Sequence, residues 1–152
     1  MAVFRFRLET LLNVKIQLEK SAKNELGVAV TRLEHERRRL ADIGRQLDVL
    51  GDEFVAAVSG NIDAERIRGI RAFIAATENE KERQKQKVKE ASDTVDKIRD
   101  KVIVLMQERK VLEKLREKEV EAFRLEGLAD EQRLNDELVT YRGRSRGEAG
   151  TV

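Results

Sequence analysis

SGNID, residues 59–63, is the clearest turn signal in a chain that contains no proline. Gly60 can take the positive φ that other residues avoid, and Asn61 or Asp63 can accept hydrogen bonds from the free N–H groups opening a helix. Apolar residues recur every three or four positions on both sides of this stretch. Upstream they are Leu8, Leu11, Leu18, Ala22, Leu26, Ala29, Leu33, Leu40, Ile43, Leu47, Leu50, Phe54 and Ala57, with Lys15 and Glu36 in two of the missing places. Downstream come Ile67, Ile70 and Ile74, a softer polar patch KERQKQK (81–87), and then Val88, Ala91, Val95, Ile98, Val102, Leu105 and Leu112. Alternating steps of three and four form the seam of a coiled coil. Two such helices joined by a short turn pack antiparallel.

The expected fold is therefore all-α: an antiparallel two-helix coiled-coil hairpin whose C-terminal helix is the longer one. The spacing predicts one elongated unit over residues 1–142, with a helix at about 4–58, a turn at about 59–63 and a helix at about 64–142. A flexible basic tail, 143–152, follows where the glycines of YRGRSRGEAGTV end the helix. VFRFR, residues 3–7, imitates a strand by alternating apolar and basic residues, but the seam that follows overrules that reading. The step from Ala22 through Leu26 to Ala29 adds a small register shift. Glycines at 27, 44, 51, 69 and 127 each cost about 1 kcal/mol of helix propensity and read either as local flexibility or as points of close approach. A break in the second helix near residues 62–80 stays open.

Folding at Gly60 and Asn61 pairs residues whose numbers add to about 121. Leu50 then meets Ile70 or Arg71, Leu33 meets Val88, Leu18 meets Ile103 and Leu8 meets Glu113. The first helix runs out opposite about Lys118, leaving roughly 24 residues, or about 36 Å of helix, without a partner. That overhang contains EAFRLEGLADEQRLNDELVTYR (121–142). At about 100° per residue, Val120, Phe123, Leu134, Leu138 and Tyr141 fall within about 60° of one another, with Gly127 on the same stripe. Leu125 and Leu128 point elsewhere. Burying a large apolar side chain is worth roughly 1.5–3 kcal/mol, so this stripe calls for a covering partner, a shifted first helix or a second copy. A second candidate surface is the hairpin tip, where Phe54, Val58, Ile67, Ile70, Phe73 and Ile74 lie within about three turns of Gly60; they bind a partner or simply close the end of the coiled coil.

Composition excludes much else. Charged residues make up 39% and aromatics 4%, which suits long solvated helices rather than a deep core. The 31 basic and 29 acidic residues nearly balance, against the strongly basic face that nucleic acid favours. His35, the single histidine, sits in a charged stretch, TRLEHERRRL, and reads as a solvated surface residue. No cysteine is present for a zinc cluster and no glycine-rich loop ends in Lys-Ser or Lys-Thr, so neither an enzyme nor a cofactor is expected. The basic tracts at 37–39 and 81–89 read as solvated faces or contacts with an acidic partner. The N-terminus lacks a secretory h-region and no apolar run reaches the roughly 20 residues of a membrane span, so a soluble cytoplasmic protein is expected.

FRFRLETLLNVKIQLEKSAKNEL (4–26) resembles the start of the flagellar export protein FliJ family, with its F-x-F-x-L-E-x-L-L opening. LEKLREK (112–118) and EQRLNDE (131–137) resemble the L-E-K-L-basic-E-K and E-Q-basic-x-x-D-E runs of its C-terminal block, into which Gly127 introduces a departure. The resemblance implies a stalk-like coiled coil and general chaperone of the flagellar type III export apparatus, similar to the central shaft of rotary ATPases. Implied partners are the hexameric export ATPase, the cytoplasmic part of the membrane export gate and export chaperones, with no nucleic acid. The ATPase would meet Val120, Phe123, Arg124, Gly127, Leu128, Gln132, Arg133, Leu134, Leu138 and Tyr141, and the terminal residues 4–18 would accompany them. The gate would meet Phe54, Ile67, Ile70, Phe73 and Ile74. The stalk of a virulence secretion system and a cytoplasmic coiled-coil chaperone or scaffold are the alternatives.

Overall fold

The structure, a computed structural model, describes residues 2–148. Helix α1 spans Glu9–Ser59 and helix α2 spans Ala64–Glu148, 51 against 85 residues. No strand occurs among the described residues. The chain is thus the antiparallel two-helix hairpin expected, with the longer helix second. Contacts group it into two compact units, residues 18–104 and the two chain ends, up to Gln17 and from Leu105 onward.

In the first of these, the turn is closed by Asp63. Its Oδ1 accepts from the backbone N–H of Glu65 at 3.0 Å and of Arg66 at 3.4 Å, satisfying donors that the first turn of α2 leaves free. Gly60 does not take the positive φ its identity permits; the connection is made without a left-handed residue. No break interrupts α2 near residues 62–80. Ala29, Leu33, Ala91 and Val95 form a buried cluster with Leu26, Val30, Val88 and Ile98 packed against it. This brings Leu33 and Val88 together, in the register that adds to 121. Gln84, in the patch that looked soft, is buried and donates through Nε2 to the Glu36 carbonyl at 3.0 Å and carboxylate at 2.5 Å. Thr77 and Gln84 thus fill the seam as polar residues instead of interrupting it.

The α1 seam differs from the expectation near its start. Leu12 and Glu19 are buried, whereas Leu11 and Leu18 are 42% and 45% exposed. With Leu12 and Glu19 in place, steps of three and four alternate without a fault from residue 12 to residue 57, and the register shift at Ala22–Leu26 disappears. The helical repeat outweighs side-chain type here: a carboxylate takes the seam, paired with Lys23 at 3.0 Å, while two leucines face solvent.

In the unit of the chain ends, α1 begins at Glu9, five residues later than the periodicity placed it. Residues 2–6 are neither helix nor strand. A helix would set Phe4 and Phe6 about 200° apart and could bury only one of them. The alternation of VFRFR puts both on the side facing α2 and leaves Arg5 and Arg7 exposed. Phe6 is buried in a cluster with Leu12 and Leu112, and Phe4, Leu8 and Leu115 pack against it. The last helical turns depart from expectation too: α2 continues through Gly143 and Gly147 to Glu148, past the boundary at 142. Glycine costs helix propensity without forbidding the helical backbone. The remainder of the tail anticipated at 143–152 lies outside the described residues.

Candidate partner-binding surfaces

Every residue from Val120 to Gly147 is exposed. The ten residues proposed for the ATPase therefore share one segment of α2, and all ten face solvent. On the apolar stripe, exposure rises from 37% at Val120 and 36% at Phe123 to 59% at Leu134, 56% at Leu138 and 73% at Tyr141. Leu125 and Leu128, off the stripe, are about half exposed. Glu131, which the sequence reading passed over, falls on the stripe as well, about 20° from Val120. A β-carbon on Gly127 would meet nothing within 4 Å. Glycines 27, 44, 51 and 69 are equally open, so none of them serves close approach within the chain.

The overhang is not wholly without an internal partner. Phe4 reaches back to Phe123 with ring centroids 5.7 Å apart and planes tilted by 58°. The Arg116 guanidinium lies 5.9 Å from the centre of the Phe4 ring while its Nε donates to Glu9 at 3.1 Å. An extended residue advances about 3.3 Å against 1.5 Å in a helix, which is how so short an N-terminal segment reaches a ring beyond the start of α1. Further along, Arg124 binds Glu121 at 2.7 Å and Arg133 approaches Asp130 at 3.7 Å. The hydrogen bond from Arg124 holds the Glu121 carboxyl below the usual carboxylate range and raises the Arg124 pKa in turn.

At the tip the structure divides the proposed set. Phe54, Ile67, Ile70 and Ile74 are half-buried on the seam, where they close the coiled coil. Phe73 is 51% exposed and Val58 44%. Three exposed apolar residues, Val49, Val55 and Ile62, escaped the sequence reading because they lie off the seam pattern. Gln46, Val49, Leu50, Glu53, Arg66, Gly69, Ile70 and Phe73 border a shallow groove beside the turn.

His35 lies on the solvent face. Among the described residues no group of three or more His, Cys, Asp or Glu side chains could hold a metal ion, and no helix is long and apolar enough to cross a membrane.

The hairpin, its second helix outrunning the first, carries the FliJ-like sequence blocks at both ends. The family described as flagellar FliJ protein matches residues 4–148. The chain belongs to the FliJ family. Membership makes it a component of flagellar protein export. Comparison with curated proteins and with solved structures yields no match. The family match begins at Phe4, the first ring of the N-terminal segment, and ends at the last residue of α2, so it takes in both candidate surfaces described above.

Proposed function

We propose that this FliJ-family chain is the non-enzymatic stalk of the flagellar export machine, working in the cytoplasm at the membrane-bound apparatus. The free part of α2, from Val120 onward, enters the central hole of the hexameric export ATPase. The tip bearing Phe73 faces the cytoplasmic part of the export gate, and export chaperones dock on the exposed helix faces. The chain then transmits events in the ATPase ring to the gate. The observation that carries this reading is the free segment itself: about 28 residues of helix, all exposed, with apolar side chains on more than one side. A helix partner covers one face, whereas the wall of a hole surrounds a helix, so leucines off the main stripe fit a ring better than a groove.

Ending the chain after Glu119 tests it. Helix α1 and the seam of α2 are retained, so circular dichroism should report two folded helices while association with the ATPase and its stimulation are lost. Undiminished binding and stimulation by the shortened chain would rule the assignment out. A stalk further requires one chain for six ATPase subunits. One-to-one complexes with export substrates and no ring-bound form would instead identify a chaperone.

A further inference from the structure

In the paired part of the molecule, two of the ion pairs that join the two helices stand just before seam positions on both helices. Glu25, before Leu26, meets Lys101, before Val102, at 3.4 Å. Arg39, before Leu40, meets Glu80, before Lys81, at 3.8 Å. Two others differ: Lys15, on the seam itself, meets Glu108 at 2.5 Å, and Arg116 meets Glu9 at 3.1 Å. Charges flanking a coiled-coil seam select partner and orientation in this way.

Along the free segment, acids stand just before residues of the exposed stripe. Glu119 precedes Val120, Glu126 precedes Gly127, Asp130 precedes Glu131 and Glu137 precedes Leu138. At about 100° per residue these four carboxylates lie within about 40° of one another, immediately beside the apolar stripe. Arg133 shares their row and leans on Asp130 at 3.7 Å. The other flank differs: Arg124, Gln132, Asn135 and Arg142 line it, and its acid, Glu121, is bound by Arg124. Acids placed only for solubility would lie opposite the stripe, where Asp136 is the one carboxylate. Residues 119–137 hold seven acidic and two basic side chains. That balance repels nucleic acid and anionic lipid and suits a basic protein surface.

We infer that the free segment of α2 recognises a protein groove that is apolar along its floor and lined with lysine or arginine along one edge. This rests on the proposed insertion into the export ATPase and adds the chemistry of the wall: a row of basic side chains at the level of Glu119–Glu137. The acidic row fixes the rotational setting of the helix, and the apolar stripe supplies the holding contacts.

The test titrates the full chain against the export ATPase at low and at physiological salt. One variant carries Glu119→Gln, Glu126→Gln and Glu137→Gln; another carries Leu134→Ala and Leu138→Ala. Exposed ion pairs are individually weak and are screened by salt. The triple variant should therefore bind about tenfold more weakly at low salt and lose most of the salt dependence. The leucine variant should be weakened at both salt concentrations. A triple variant with wild-type affinity and salt slope overturns the acidic-row inference while leaving insertion intact if the leucine variant fails. Indifference of both variants overturns the insertion reading itself. Changing the same three residues to lysine must weaken binding further; tighter binding would mean an acidic wall and would refute the inference.

Discussion

Replacing Phe6 by alanine isolates the segment that turned out not to be helical. Phe6 is 7% exposed, and the substitution forfeits most of a buried ring, about 2–3 kcal/mol. The docked segment has little to spare. Phe6 contributes about 2.5 kcal/mol and half-buried Phe4 about 1. The Phe4–Phe123 pair and the Arg116 contact add about 1.5 kcal/mol together. Against these roughly 5 kcal/mol stands the ordering of residues 2–6, at about 1 kcal/mol each. Phe6→Ala should therefore release the segment and leave both helices in place, because α1 starts only at Glu9. A loss of 2–3 kcal/mol shifts the docking equilibrium about 30- to 150-fold. Trypsin reads the shift directly, since Arg5 and Arg7 flank Phe6 and are exposed. Where opening is fast relative to cleavage, the cleavage rate follows the open population. By this balance the wild-type segment is open about half the time, so cleavage at these arginines should accelerate about twofold, to the fully open rate, with helical ellipticity unchanged and Phe123 more accessible. An unchanged rate would show that Phe6 does not hold the segment. A cooperative loss of helix would show that the segment belongs to the core of the fold.

The polar pair Glu36–Gln84 makes stability depend on pH. The hydrogen bond from Gln84 is the main reason the Glu36 carboxyl sits below its ordinary value of 4.5; burial opposes the shift, and Lys87, His35 and Arg32 assist it. A carboxylate with a depressed folded pKa stabilises the fold above its unfolded pKa, and that contribution is lost as pH falls through the folded value. Acid titration of Gln84→Leu, followed by thermal melting, should show a smaller loss of stability below pH 4.5 than the wild type; an identical profile would remove Glu36 as the cause. Gly127→Ala places a β-carbon in open space and should raise local helix stability by about 0.8–1 kcal/mol. Hydrogen exchange of the neighbouring amides should slow about fivefold; faster exchange would mean that Gly127 has a neighbour the free chain does not display.

The long-range register was legible because both helices repeat at the same spacing for many turns. Leu33 opposite Val88, and Gln84 opposite Glu36, are where a fold at Gly60–Asn61 puts them. Residue chemistry misled where it disagreed with that spacing. Leu11 and Leu18 attracted the seam away from Leu12 and Glu19, although carrying the alternation back from Leu26 leads to residues 22, 19, 15 and 12. The N-terminal segment was hidden for another reason. Its period of two lasts only five residues, too few to compete with a helical window, and its reward comes from the distant rings and leucines it packs on, Phe123 and Leu112. On the binding surfaces, the stripe from Val120 to Tyr141 could be placed by angle alone. The split at the tip, with Ile67, Ile70 and Ile74 turned to the seam and Phe73 outward, depends on how the two helices face each other there. Val49, Val55 and Ile62 gave no periodic signal.

The central claim is that the free segment of α2 lies inside the export ATPase ring. A photo-crosslinking side chain placed at Leu134, in the full chain bound to the assembled hexamer, tests it most directly, with the same probe at Phe73 for comparison. Position 134 should link to ATPase subunits around the central hole, and position 73 should not. Adducts from position 73 to the ATPase, with none from position 134, would contradict it.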